Sequence, residues 1–281
     1  MADRIDACLV AGGKWHDIDF ARLELLKLLA EHEHLRVKVL ADYEDTASIT
    51  AATVLISYTC DVRPSEAAQV AIAAWVEGGG RWLALHGTNS ALDLPRPNGV
   101  EAPRCFPLWA QTLGSQFIAH PPIQNYAVEV ANTQHWLVHG ITTFETDDEL
   151  YLSEHADRAA LEPLLLTHWA AEAAGFAESD WSLETRGTDE HLVSYLRPLG
   201  SGAVLYNTLG HCRGYYDMAP LRAYYPTVER GSRAELVPWS ASHRPPPSTH
   251  AAIATCAASL GRTSQVYEMR TVAAVIDAVS S

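Results

Sequence analysis

Short apolar runs alternate with longer segments of helical spacing along the first third of the chain. Three of these runs are almost uniformly apolar, which predicts buried strands at residues 7–11, 53–58 and 82–85, and residues 35–40 alternate between apolar and polar positions, which predicts a further strand. Residues 20–32 and 65–76 carry apolar positions at helical spacing, with Asp17 or Asp19 available to cap the first helix and Pro64 opening the second. The order is therefore βαββαβ or βαβαβ, and both predict a mostly parallel sheet with helices on both faces.

The second half adds shorter pieces to the same predicted sheet. Helices are expected at residues 108–113, 248–260 and 272–279, and strands at residues 126–130, 150–152, 164–168, 193–196 and 203–206. Residues 92–103 are rich in proline and polar positions, which predicts a long loop that can cover a site. Because no composition break divides the chain, we expect one α/β domain over residues 1–281, with a core at about 5–217 and a C-terminal extension at 218–281.

A polar turn directly follows the fourth predicted strand. Its residues are His86, Gly87, Thr88 and Asn89. In open parallel sheets, ligands bind beyond the carboxyl ends of the strands, so this turn is where binding or catalysis is expected.

The charge of the chain narrows the classes of partner. Its 34 acidic and 20 basic residues give a formal charge of −14, which disfavours nucleic acid and anionic membranes and favours a neutral or cationic small molecule. The five cysteines are widely spaced and form neither a disulfide framework nor a metal knuckle, which indicates a reducing cytoplasm. We expect a cytoplasmic protein with no membrane partner, and homo-oligomerisation stays open.

Histidines supply the first candidate chemistry. Of the thirteen histidines, His86, His120 and His211 each close an apolar run beside glycine or proline. An imidazole in such a place can act as an acid, a base, a metal ligand or a sugar-binding group. The alternative is that each ring only bonds a neighbouring carbonyl.

A run of three acidic residues at positions 147–149 supplies carboxylates next to a predicted strand. Glu149 can join the histidines in a divalent-metal site, because imidazole with carboxylate suits zinc, manganese or iron. The alternative is a solvated acidic turn, and no HExxH or HxH spacing is present.

A nucleophile is poorly supported. The elbow of hydrolases and amidotransferases follows the buried strand, and here Leu85 or His86 stands at the nucleophile position. Cys60 and Cys212 end predicted strands, although buried structural cysteines are commoner than reactive ones. No glycine pattern for phosphate binding is present.

Several segments together resemble one known family. These are GGKWHD, WVEGGGRWLALHG, LGSQFIAHP, HGITTFETDDELY and GAVLYNTLGHCRGYYD, in order from about residue 7 to about residue 217. They resemble the ThuA-like (trehalose utilisation) family. That resemblance implies a flavodoxin-like fold like that of class I glutamine amidotransferases, and a place in the metabolism of trehalose or related disaccharides, often beside oxidoreductases that make 3-keto-glycosides.

The resemblance, with the strand ends, assigns the candidate site residues. Catalytic roles are expected for His86, His120 and His211, and a metal, zinc or manganese, is expected at His86, His120, Glu149 and His211. Substrate contacts are expected for Trp15, His16, Gly87, Thr88, Asn89, Phe117 and Tyr151.

Three functions remain in competition. The first is an enzyme that acts on a keto-sugar as an isomerase, hydrolase or lyase through histidine acid–base chemistry. The second is a sugar-binding or accessory protein without catalysis, because fold does not imply function. The third, an amidotransferase or cysteine hydrolase, is disfavoured because the elbow lacks cysteine.

Overall fold

A nine-stranded sheet forms the centre of the protein, in a computed structural model that describes residues 4–94, 99–138, 141–170 and 189–211. The strands are β1 (Ile5–Gly13), β2 (Leu35–Leu40), β3 (Val54–Cys60), β4 (Arg81–Leu85), β5 (Ser115–Ala119), β6 (Gln124–Val130), β7 (Phe144–Asp148), β8 (Leu152–His155), β9 (Glu162–His168), β10 (Glu190–Leu199) and β11 (Gly202–Asn207). The helices are α1 (Ile18–Leu29), α2 (Thr46–Ala51), α3 (Glu66–Glu77) and α4 (Pro107–Leu113). The strand order is β2-β1-β3-β4-β11-β10-β9-β6-β7, and β5 pairs separately with β8.

The sheet is parallel in one half and antiparallel in the other. Strands β2, β1, β3, β4 and β11, which include all five apolar runs expected to share a sheet, pair in parallel. Strands β11, β10, β9, β6 and β7 pair antiparallel, so the expectation of a mostly parallel sheet is corrected. The reason is the connection: β10 and β11 are joined by two residues, whereas a parallel pair needs a crossover of a dozen or more.

Three further details differ from the sequence-based expectation. No helix was expected between β2 and β3, but α2 lies there, so the first strands follow βαβαβ, the second of the two expected orders; the sequence of α2, TASITA, is short and poor in strong helix formers. Strand β7 was not expected, because FETDD has only one large apolar residue. The strand expected at residues 150–152 begins instead at Leu152.

Two apolar cores cover the two faces of the sheet. Along β1, Leu9 faces the core that contains α1, whereas Val10 faces the core that contains α2, α3 and α4. Leu25 of α1 and Ile72 of α3 pack into these cores from opposite sides. Helices therefore lie on both faces of the sheet, as the sequence predicted.

The first helix begins where the sequence indicated. Asp17 caps α1, since its side chain accepts a hydrogen bond from the backbone N–H of Phe20. Ser65, directly after Pro64, caps α3 in the same way. No helix in the described part of the chain is long and apolar enough to cross a membrane. The helices expected at residues 248–260 and 272–279, within the extension 218–281, lie outside the described residues.

The central strand β11 generates a stability prediction. Leu205 is fully buried between the parallel and antiparallel halves of the sheet, so Leu205→Ala should lower the free energy of unfolding by about 2–5 kcal/mol, the usual loss for a buried leucine. Urea denaturation measures this. Leu23→Ala, on the exposed side of α1, is the control and should change stability by less than about 0.5 kcal/mol. Equal losses in the two variants would contradict the packing described.

Candidate functional site

The turn after β4 has the geometry of a nucleophile elbow. His86 directly follows Leu85 and has a φ of +45°, a left-handed conformation that costs a non-glycine residue about 1–3 kcal/mol. The Tyr206 hydroxyl donates a hydrogen bond to the His86 carbonyl. Gly87 lies so close to β3 that a Cβ at this position would be 2.6 Å from the Thr59 carbonyl oxygen. From the sequence, either Leu85 or His86 could stand at the nucleophile position of the elbow. The left-handed residue is His86, so an imidazole occupies that position.

His16 reaches the elbow from the end of β1. Gly13 has a φ of +110°, and a Cβ there would lie 1.9 Å from the Cys60 carbonyl oxygen, so only glycine lets the chain turn this close to β3. The Lys14 N–H then donates to that same carbonyl. This turn places His16 Nε2 2.8 Å from His86 Nε2.

A buried carboxylate holds two loops together beside these rings. Asp148, at the end of β7, is fully buried and accepts hydrogen bonds from the backbone N–H groups of Glu149, Gly210 and His211, at 2.8, 2.8 and 3.0 Å. Burial raises the pKa of Asp148 to about 6, although the three N–H donors oppose the shift. Asp148 therefore fixes Glu149 and His211 relative to each other.

Glu149 is the carboxylate on which the imidazoles converge. Its Oε2 lies 3.1 Å from His211 Nδ1, 3.6 Å from His86 Nε2 and 3.8 Å from His16 Nε2. Its Oε1 lies 3.4 Å from His120 Nε2. Four imidazoles thus surround one carboxylate: three follow the carboxyl ends of β1, β4 and β11, and that of His120 follows β5.

The environment shifts the pKa values of these groups in different directions. Burial lowers the pKa of His86 to about 4, so its ring is neutral near pH 7. Burial alone would raise the pKa of Glu149, but the imidazoles of His16, His211 and His86 lower it well below its usual range. Burial disfavours the charged form of His211 as well, yet the neighbouring Glu149 carboxylate raises its pKa. Burial raises the pKa of Tyr151 well above 10, so its hydroxyl stays protonated.

Two aromatic residues complete one side of the site. The Tyr151 hydroxyl lies 3.1 Å from His86 Nε2, and the ring of Phe117 packs against the Tyr151 ring with centroids 4.6 Å apart. Phe117 is buried, so it supports Tyr151 and His120 from behind.

The set of side chains that could share a metal ion differs by one residue from the set expected from the sequence. The group whose ligand atoms all lie within 4.8 Å of one another consists of His16, His86, Glu149 and His211. His16, expected only to touch substrate, is in this group. His120, expected as a ligand, is outside it, and its Nε2 lies 3.4 Å from the other oxygen of Glu149, Oε1.

Two residues of the elbow that were expected to contact substrate have side chains that bond to groups away from the imidazoles. The Thr88 hydroxyl donates to the Leu85 carbonyl at 2.7 Å, and the Asn89 side-chain amide donates to the Ser115 hydroxyl at 2.9 Å. Both side chains are buried: Thr88 bonds back to Leu85 within the turn, and Asn89 ties the turn to the start of β5.

The remaining candidates lie as follows. Trp15 precedes His16, has a φ of +72° and is 53% exposed. Cys60 is buried and its pKa is raised, chiefly by that burial, which disfavours the reactive thiolate. Cys212 lies outside the described residues. Asp148 was not singled out from the sequence, and its only signal was its place in the acidic run 147–149.

These features define a class: a mixed α/β protein with a histidine-rich site at the carboxyl ends of parallel strands, built around the carboxylate of Glu149. The family model described as ThuA, trehalose utilisation, matches residues 8–225, and the chain belongs to this family. The family description points to carbohydrate metabolism. No curated protein matches the sequence significantly.

Two solved structures have a similar fold. A ThuA-like protein from Bacteroides uniformis is 16% identical with a TM-score of 0.55, and the match covers 75% of this chain and 83% of that one. A ThuA-like protein from Parabacteroides merdae is 14% identical with a TM-score of 0.50, and the match covers 75% and 81%. At this identity the similarity establishes the fold alone.

The role of Asp148 is testable by a change that keeps its shape. In Asp148→Asn, the amide NH₂ must face at least one of the backbone N–H donors, so we expect a loss of about 1–3 kcal/mol in the free energy of unfolding. Urea denaturation of Asp147→Asn, whose side chain is exposed on the same strand, is the matched control and should show little change. Similar midpoints for the two variants would mean that Asp148 does not hold the loops.

Proposed function

We propose that this protein is an enzyme of carbohydrate metabolism that acts on a keto-sugar by histidine acid–base catalysis, as an isomerase, hydrolase or lyase. The observation that carries this proposal is the convergence of four imidazoles within 3.8 Å of the single carboxylate Glu149. Such a cluster offers proton donors and acceptors close to neutral pH. The family description, trehalose utilisation, supports a sugar as the substrate class.

The exposure of the four rings indicates which histidines a substrate can reach. The side chains of His120 and His211 are 25% and 22% exposed, whereas those of His16 and His86 are 4% and 0% exposed. A substrate that enters from solvent therefore meets His120 and His211 first. We assign proton transfer chiefly to His120, and positioning at the floor of the site to His86.

The chemistry of keto-sugars suits this arrangement. A hydrogen on the carbon next to a keto group is acidic, so a base can remove it while an acid protonates the carbonyl or a departing glycosidic oxygen. His120 Nδ1 donates to the Pro121 carbonyl at 2.7 Å, so Nε2, 3.4 Å from Glu149 Oε1, is the nitrogen that takes up and releases a proton on the side of the site. The Tyr151 hydroxyl stays protonated, so it can donate a hydrogen bond to the carbonyl oxygen.

Trp15 is a candidate platform for the sugar ring. It is an exposed aromatic residue held in a left-handed conformation immediately before His16. Strained backbone at such a place is a reason to suspect a function, and aromatic faces are apolar surfaces on which a sugar ring can pack. We propose that Trp15 contributes to substrate affinity and takes no part in proton transfer.

We also propose that the parallel half of the sheet is a flavodoxin-like core. The parallel half has the order β2-β1-β3-β4-β11, which corresponds to the flavodoxin-like order 2-1-3-4-5. In that arrangement ligands bind where the strand order reverses, between β1 and β3, and His16 follows β1 directly. This supports a flavodoxin-like core with the site at its switch point.

The acid–base role is tested with His120→Gln, which keeps size and polarity but removes the titratable ring. Turnover of a panel of 3-keto-glycosides by the full chain should fall about 10²-fold or more, the usual scale for a positioned acid or base. His168→Gln, on the exposed surface, is the control and should keep wild-type turnover. If the wild type binds these sugars in calorimetry but never turns them over, the protein is a sugar-binding protein and the proposal is wrong.

The platform is tested with Trp15→Ala and Trp15→Phe. We expect Trp15→Ala to raise KM roughly five-fold with little change in kcat, which corresponds to the loss of about 1 kcal/mol of aromatic contact. Trp15→Phe keeps an aromatic face and should restore most of the affinity. An unchanged KM in Trp15→Ala would remove Trp15 from the substrate site.

A further inference from the structure

Two imidazoles in the site face each other in an arrangement that is repulsive when both rings are neutral. The nitrogens His16 Nε2 and His86 Nε2 are 2.8 Å apart, which is hydrogen-bond distance. His86 Nδ1 lies 2.6 Å from the Thr208 carbonyl oxygen, and His16 Nδ1 lies 3.2 Å from the Lys14 carbonyl oxygen. Carbonyl oxygens only accept, so both Nδ1 atoms carry the ring hydrogen. Both Nε2 atoms then present lone pairs to each other.

The neighbouring groups do not relieve this conflict. The Tyr151 hydroxyl can donate to His86 Nε2, at 3.1 Å, but that satisfies one lone pair and leaves the other. His211 Nδ1 is buried without a hydrogen bond, although it lies 3.1 Å from Glu149 Oε2. Three imidazole nitrogens and one carboxylate oxygen therefore point toward a common centre, and a positive charge at that centre would satisfy all four.

We propose that His16, His86, Glu149 and His211 bind one divalent transition-metal ion, zinc or manganese. The proposal concerns the site of the proposed function, but it rests on the ligand geometry and holds whatever the substrate is. The four ligand atoms lie within 4.8 Å of one another, with separations of 2.8, 3.1, 3.6 and 3.8 Å among those in closest contact. A tetrahedral ion with bonds of about 2.0–2.1 Å separates its ligands by about 3.3 Å, so small shifts are enough.

The donor set selects the class of ion. Three imidazoles with one carboxylate suit zinc, manganese or iron, whereas calcium and magnesium prefer oxygen ligands alone. When bound, such an ion would polarise a carbonyl oxygen of the substrate.

The groups behind the ligands orient them for this purpose. The Thr208 and Lys14 carbonyls fix the tautomers of His86 and His16, and Asp148 fixes the loop that carries His211. Hydrogen bonds of this kind to ligating histidines are typical of metal sites. His120 contacts the other oxygen of Glu149, Oε1, so the carboxylate can serve the ion with one oxygen and the catalytic ring with the other.

The experiment measures metal content directly. The full chain is stripped with a chelator, incubated with Zn²⁺ or Mn²⁺ alone, passed through gel filtration and analysed by elemental mass spectrometry. We expect about one equivalent of one of these ions per chain and a higher Tm in its presence. Absence of stoichiometric metal, with an unchanged Tm, would overturn the proposal and favour a proton shared between His16 and His86.

Matched variants locate the site. Glu149→Gln keeps the shape of the ligand, and His211→Ala changes a partly exposed one, so both should fold; each should weaken metal affinity about 10²-fold or more. His120→Gln and His168→Ala should retain the full equivalent, and metal retained in Glu149→Gln and His211→Ala would overturn the proposal. The same samples separate it from the proposed function. Stoichiometric metal without sugar turnover supports the metal site and overturns the proposed enzyme, whereas sugar turnover by a chain that binds no stoichiometric metal overturns the metal site alone.

Discussion

The buried carboxylate of Asp148 is the constraint on which the geometry of the site depends. A fully buried carboxylate is costly to desolvate, by several kcal/mol, and charge-assisted hydrogen bonds recover about 1.5–3 kcal/mol each. Three backbone N–H groups supply these bonds, and none of them can be replaced by a side-chain rearrangement. The pKa of Asp148, raised by burial to about 6, still leaves it ionised near pH 7, so the bonds persist under ordinary conditions.

This interaction joins the two halves of the sheet. Glu149 follows β7, the edge strand of the antiparallel half, whereas His211 follows β11, the last strand of the parallel half. The parallel strands alone bring His16 and His86 to one edge. The carboxylate between the rings comes from the antiparallel half, so the part of the sheet that departs from the expected parallel arrangement supplies the central group of the site.

The sequence identifies site residues that follow an apolar run, but it does not identify site residues whose orientation depends on strand register. His86 directly follows β4 and His211 lies in the loop after β11, and the meeting of these ends follows from the parallel pairing of β4 and β11. Asp148 could not be separated from Asp147, because only the alternation of β7 turns one inward and the other outward, and β7 has too few apolar residues to predict that register. Thr88 and Asn89 were expected in the site because they belong to the turn. A single-turn helix directs successive side chains around its axis, so only His86 among the polar residues of this turn is shown facing the imidazole cluster.

The elbow shows how one backbone device can serve different chemistry. A left-handed residue at the end of a central strand projects its side chain over the carboxyl edge of the sheet, which suits a serine or cysteine that must attack a carbonyl. Here the projected group is a neutral imidazole with its Nδ1 fixed by the Thr208 carbonyl, so it cannot easily rotate or exchange tautomers. A ring held in this way presents the lone pair of its Nε2 in a fixed direction. The backbone strain at His86 is therefore the cost of holding its fully buried Nε2 at the centre that it shares with His16, Glu149 and His211, whereas the side chain of His120 is 25% exposed at the edge of that centre.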